Sequence, residues 1–338
     1  MAYGIWCQPV GPGPAAPAPL FIDANLTFPQ FMGTFDLAPS WRATYASFVV
    51  GAFDGQGELI IVPKTRMVQD YLPSPEIVPR FSYVTGISVS GQTVGINIKP
   101  GGGGNDNRTF PMGFNAYKIW PRGNQSYGVT FSNSADFFSI SDSGVVGQCV
   151  WAYRGAVGDG FVVPGADANA LVFGNWNQGD VTVAYDYPSR SMIICRNHSN
   201  FNGSNRGGVV NDMRIAVFTN GVGVPVHNGG FNIYSPNGQQ CVFSTYRTPF
   251  TINQFISSSG GNTGLGMPML CLGRSQGVMT NNAGGWMWNH ERSSTMVGSS
   301  IGTGWGPIVT SWTNQYPIDI NIATGTAVPI IDGSLIFA

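Results

Sequence analysis

Charge is scarce in this chain. Charged residues make up 10% of its 338 positions, against about 25% in a typical soluble protein. Basic and acidic residues number 16 and 17, for a net charge of -1. No basic excess exists to neutralise phosphates, which argues against nucleic-acid binding by counterion release. Histidine occurs only as His198, His227 and His290, and no two of them stand at metal-ligand spacing. All three, each beside an Asn, read as surface-loop residues, and neither a metal nor a cofactor is expected.

Cysteine is sparse and unpatterned. Cys7, Cys149, Cys195, Cys241 and Cys271 are widely spaced and odd in number, unlike a secreted disulfide scaffold or a zinc motif. They read as small buried hydrophobes. Long apolar runs are missing: nothing approaches the ~18 residues of a membrane-spanning helix, so no membrane insertion is expected. The opening Met-Ala-Tyr-Gly-Ile-Trp has neither the basic region nor the apolar stretch of a signal peptide, so the expectation is synthesis in the cytoplasm. Helical windows are missing too. Gly and Pro, 47 and 23 residues, interrupt nearly every stretch of three turns, at a cost of ~1 or ~3 kcal/mol each inside a helix. The best remaining window, residues 41–50, contains the lukewarm helix formers Thr44, Val49 and Val50.

What the chain does have is strand. Its 43% hydrophobic and 12% aromatic content excludes a disordered tail. Residues 58–62 (Glu-Leu-Ile-Ile-Val) follow a Gly-rich turn. Residues 87–98 alternate apolar and polar around Ser90-Gly91-Gln92-Thr93, as a half-buried hairpin should. Residues 181–187 turn through Pro188-Ser189-Arg190 into residues 192–195, and residues 231–234 turn at Asn237-Gly238 into residues 241–243. Short strands at this spacing predict an all-β fold of antiparallel β-sandwich-like domains with long Gly/Asn-rich loops. The Asn/Ser/Gly stretch before residue 208 suggests two regions: an N-terminal β domain over residues 1–207, with a Pro-rich arm at 9–19, and a C-terminal β domain over 208–338. The aromatic-x-Ile-aromatic pattern of Tyr3–Trp6, followed by a returning strand at Phe21, is echoed by Phe231–Tyr234 and the strand after it.

Catalytic signatures fail when tested. Gly-x-Ser-x-Gly occurs around Ser275 and Ser300, without the helix after the serine and the later acid-then-His order that a nucleophile elbow needs. No phosphate loop is present. Among the dispersed carboxylates, Asp159 and Asp167 form the pair to test for glycosidase chemistry. The expectation is a protein that is not an enzyme. A binding surface is better supported. Trp286 and Trp288 stand at strand spacing and so share a face, with Asn289, His290, Glu291 and Arg292 directly after them. Trp176, between two Asn, repeats the pattern on a smaller scale. Flat rings beside donors and acceptors suit sugars, whose faces stack on aromatics while their hydroxyls take polar partners. Core or subunit-interface burial is the competing reading of the same tryptophans.

The opening residues 1–6 and the unit at 230–250 (Gly-Phe-Asn-Ile-Tyr-Ser-Pro-Asn-Gly-Gln-Gln-Cys-Val-Phe-Ser-Thr-Tyr-Arg-Thr-Pro-Phe) resemble tail-fibre and tail-tip proteins of tailed bacteriophages. The resemblance covers some forty residues and departs from the group's pattern in its spacer-free Asn237-Gly238 turn and in the Pro-rich insertion of the first hairpin. It implies a non-enzymatic, β-rich virion component, a homotrimer that contacts other tail proteins and touches a bacterial surface receptor, such as a glycan. The alternatives are a glycan-active enzyme of the glycoside-hydrolase or depolymerase kind and a capsid or decoration protein.

Overall fold

The computed structural model describes residues 5–7, 20–22, 28–70, 80–102, 108–119, 145–198, 204–219, 231–234, 241–274, 276–313 and 320–337. Strands dominate; among the described residues the only helical element is a 3₁₀ turn, Gly333–Leu335. The all-β expectation is met. The Pro-rich arm, the Asn237-Gly238 turn, His227 and Ser275 lie outside the described residues.

Strands β1 (Ile5–Cys7) and β2 (Leu20–Ile22) pair antiparallel as a separate hairpin. A first sandwich follows, built from β3 (Gln30–Leu37), β4 (Tyr45–Val49), β5 (Glu58–Pro63), β6 (Met67–Asp70), β7 (Arg80–Ser90), β8 (Thr93–Gly101), β9 (Met112–Ile119) and β10 (Val145–Val146). Its sheets run β10-β3-β9-β5 and β4-β8-β7-β6, and they enclose a core of Phe53, Val84, Val94, Ile96, Phe114 and neighbours. Residues 41–50, the best helical window, instead contain β4, whose side chains alternate exposed and half-buried. Tertiary pairing with β8 overrides a weak local preference. The β7–β8 hairpin forms as the alternation predicts, Ser90 opposite Thr93. Gly91, at φ 56°, takes the left-handed conformation that a two-residue hairpin turn requires.

The second sandwich uses β11 (Gln148–Gly158), β12 (Leu171–Asn175), β13 (Gln178–Asp186), β14 (Ser191–Arg196), β15 (Val209–Thr219), β16 (Asn232–Tyr234), β17 (Cys241–Ser244), β18 (Gln254–Ser257), β19 (Gly261–Asn262), β20 (Pro268–Cys271), β21 (Gly277–Ala283), β22 (Trp286–Val297), β23 (Ser300–Thr313), β24 (Asn321–Ala323) and β25 (Ala327–Asp332). One sheet runs β11-β15-β12-β20-β25-β18; the other runs β14-β13-β22-β21-β24, with β23 on β22 and β19 on β23. β16 and β17 pair with each other in a two-stranded sheet, as β1 and β2 do, so both members of the echo seen in the sequence form two-stranded antiparallel units, with β17 buried against Phe28 and Gln148. Cys149, Cys195, Cys241 and Cys271 are free and buried.

The division at 207/208 needs correction. β15 lies after that point yet pairs with β11 and β12, which lie before it, and β22 pairs with β13. The sandwiches instead divide between β9 and β11. The described residues just before 208 pair back on β14, with Arg196 N–H donating to Asn205 O at 2.9 Å and Cys195 bridging Arg206.

The two bodies share hydrophobic surface. Along β5, Leu59 and Ile61 face the first core while Ile60 and Val62 face the second; along β9, Phe114 and Ala116 face the first while Tyr117 and Ile119 face the second. These two strands are therefore buried on both sides, as the unbroken apolar run of β5 allows. Tyr117 packs on Phe250 with ring centroids 5.5 Å apart, and Phe250 in turn meets Phe173 and Phe218 at 5.8 and 5.4 Å. Tyr117→Ala should therefore cost about 3–5 kcal/mol in urea unfolding, whereas Tyr45→Ala on the exposed face should cost about 0.5 kcal/mol or less. Equal effects would show that the sandwiches do not depend on this contact.

Candidate functional site

β21, β22 and β23 form the longest hairpin system of the chain. Gly284 and Gly285, at φ 62° and 79°, turn β21 into β22 through the conformation that type I′ hairpins demand. Trp286 follows at once and is 44% exposed. Trp288, two residues on, is half-buried and donates its indole N–H to Ala283 O at 3.1 Å. The cross-strand partners of Trp286 are Ala283 and Thr313; those of Trp288 are Asn281 and Ser311. Directly opposed residues share a face, so the two indoles lie in a surface of small and amide side chains. Met287 and Trp312, paired on the reverse face, are buried.

The residues grouped with these tryptophans in the sequence separate in space. Trp176 is fully enclosed in the second core, so its Asn-flanked pattern marks packing and not a surface. Asn289 is buried and donates to Gln69 Oε1 at 2.9 Å, tying β22 to β6 of the first sandwich. Arg292 donates to Thr303 Oγ1 at 2.9 Å and to Asn321 Oδ1, an internal brace between β23 and β24. His290 is not a surface-loop residue. It is fully buried, its Nδ1 lies 3.1 Å from Gly306 O, and its ring meets Trp305 edge-on at 4.9 Å. Two bulges in the β22–β23 register, on either side of His290, break the simple alternation that sequence spacing assumes. His198 is exposed.

The other sequence candidates also resolve into structure. Asp159 is gripped by the Arg206 guanidinium at 2.9–3.1 Å and accepts from Ile194 N–H. Asp167 accepts from Asn169 N–H at 2.8 Å, a local turn contact. Ser300 opens strand β23 directly after a hairpin turn, with no helix behind it.

A cleft that the sequence did not reveal lies where the sandwiches meet, with a volume of about 440 Å³. Asp36 and Lys64 line it from the first sandwich; Asp186, Arg274 and Glu291 line it from the second. Arg274 joins two carboxylates: its Nε donates to Glu291 Oε1 at 3.0 Å and its Nη1 to Asp186 Oδ1 at 3.2 Å. Asp186 also accepts from the Ser189 hydroxyl at 2.6 Å. Glu291 is buried, and burial raises its carboxyl above the ordinary range even though Arg274 pulls it down. Lys64 Nζ stands 3.7 Å from Asp36 and 3.4 Å from Ala168 O. Only Glu291 carried a sequence signal, its place in the polar run after Trp288. Its partners are distant in the chain, and they converge because β13 and β21 both flank β22 in one sheet of the second sandwich.

The fold and these sites define an all-β protein of two docked sandwiches with a mixed-charge cleft at their junction. The chain belongs to DUF6453, a family of unknown function, whose family model matches residues 4–314. No significant match was found to a curated protein or to a solved structure.

Burial pulls the His290 imidazole down from 6.5 to about 4, opposed in part by its contact with the Gly306 carbonyl. The unfolded chain therefore binds more protons than the folded one across that window, so this residue's contribution is full above pH 6.5. It falls as pH drops towards 4, by a total of about 3 kcal/mol. Glu291, shifted upward, contributes with the opposite sign. Urea unfolding of wild type and His290→Gln between pH 7 and pH 4 isolates the histidine, and the variant should show the shallower acid loss. Parallel curves would place His290 in contact with solvent.

Proposed function

We propose that the protein is a structural and adhesive component of a bacteriophage tail, a fibre or tip subunit that contributes to virion assembly and contacts a glycan on the bacterial surface. The observation that carries the reading is the Trp286–Trp288 face, presented at a hairpin end between Asn281, Ser311 and Thr313. Indole faces beside amide and hydroxyl groups suit the faces and rims of sugar rings. Further support comes from the resemblance of residues 1–6 and 230–250 to tail-fibre and tail-tip proteins. A charge-poor, aromatic-rich chain also suits extended contacts between copies and with other tail proteins, as in a homotrimer in the virion.

Trp286→Ala and Trp288→Ala should lower adsorption of the protein to host cells about tenfold or more. Trp286→Ala should leave stability within about 1 kcal/mol, while Trp288→Ala should lose about 1–3 kcal/mol because its ring is half-buried. Full adsorption by both folded variants would remove the indoles from receptor contact.

A second reading, an enzyme acting on polysaccharide, rests on Asp186 and Glu291 lining one cleft. Paired carboxylates in different environments are the arrangement that glycosidases use. Here both are tied to the same arginine, which lowers the availability of either as an acid. Host polysaccharide incubated with the purified chain should stay intact. Turnover that disappears in folded Asp186→Asn or Glu291→Gln would establish the enzymatic reading instead.

A further inference from the structure

Other cations of this chain, buried or half-buried, have an evident partner. Lys118 holds Asp54 at 2.7 and 2.8 Å, Arg214 reaches Asn175 at 3.2 Å and Asp212 at 3.5 Å, and Arg274 bridges two carboxylates. Arg66 differs. It lies between β5 and β6, in the stretch where Thr65 bridges Arg274 of the second sandwich. Its side chain is completely enclosed, and among the described residues Nε, Nη1 and Nη2 all lack an acceptor.

The surroundings supply no counter-charge. The titratable groups closest to it electrostatically are Cys271 and Tyr187. Burial pushes the Cys271 thiol up to about 12 and the Tyr187 phenol well above its ordinary value, so both are neutral at physiological pH. A guanidinium does not give up its proton in a protein and carries five donors. Left uncompensated in the interior, such a charge costs several kcal/mol. A backbone arrangement consistent with a retained cation is present: a Cβ on Gly273 would lie 3.0 Å from Lys64 O and 3.6 Å from Arg66 Nη1, so glycine there lets the main chain pass against both residues.

We propose that Arg66 binds a small inorganic anion, chloride in solution, enclosed at the junction of the two sandwiches. Thr65 and Met67 on either side of Arg66, and Tyr187 beside it, line the neighbouring cleft, whereas Arg66 itself lies behind that lining. Complete enclosure favours a single monovalent ion, whose dehydration costs less than that of a phosphate or sulfate. The anion compensates the charge, accepts from the guanidinium and locks β5–β6 against the β20–β21 connection. The site stabilises the docking of the two bodies and is separate from the Trp286–Trp288 face, so it stands whether or not that face meets a receptor.

The test compares thermal midpoints of the full chain in sodium chloride and sodium gluconate at equal ionic strength. Chloride at ~150 mM should raise the midpoint by about 2–5 °C, as expected for a millimolar site occupied only in the folded state. Arg66→Met should abolish the difference. Equal midpoints of the wild type in both salts, or a difference that persists in the variant, would overturn the proposal. Should Arg66→Met not fold, wild-type crystals grown in sodium bromide decide the matter. An anomalous peak within hydrogen-bond distance of the Arg66 guanidinium is expected, and peaks confined to the molecular surface would refute the site.

Discussion

Two paired strands hold this protein together by being wet on neither side. β9 and β5 present Phe114 and Leu59 to the first core and Tyr117 and Val62 to the second. A strand pleat sends successive side chains to opposite faces, so both sets can be apolar only if both faces are covered. The two sandwiches are therefore not beads on a linker. Each supplies the cover for part of the other, and the Tyr117–Phe250 contact is where a strand of the first sandwich enters the core of the second.

That docking determines where the polar residues go. In a chain with so few charges, the junction gathers Asp36, Lys64, Arg66, Asp186, Arg274 and Glu291. Ion pairs taken out of water gain little net stability and chiefly punish misplacement. The Arg274 bridge between Asp186 and Glu291 thus acts as a register device within the second sandwich, disfavouring other placements of β13 and β22 against the β20–β21 connection. Asn289 and Gln69 add a neutral tie across the same junction.

The surface away from the junction has a different character. Around Trp286 and Trp288 the described cross-strand neighbours, Asn281, Ala283, Ser311 and Thr313, are uncharged. Contacts made by such a surface are weakly sensitive to salt, as the adhesive role proposed above requires. On that proposal, recognition resides in a part of the molecule separate from the seam between the two bodies.

What the sequence by itself determined is local. Alternation and turn residues established the all-β character and the hairpins around Gly91 and Pro188, because strand period and turn stereochemistry depend on neighbours along the chain. The unbroken apolar run of β5 already carried the mark of a strand buried on both faces. The spacing of Trp286 and Trp288 likewise placed them on one face. Spacing failed two residues later, where bulges rotate the strand and carry His290 into the interior. Only the tertiary structure decided that β15 returns to pair with β11 and β12, that the bodies divide between β9 and β11, and that Asp186, Arg274 and Glu291 meet in one cleft. Those outcomes rest on which distant surfaces cover one another. Long-range burial selects them, and no window of neighbouring residues contains that information.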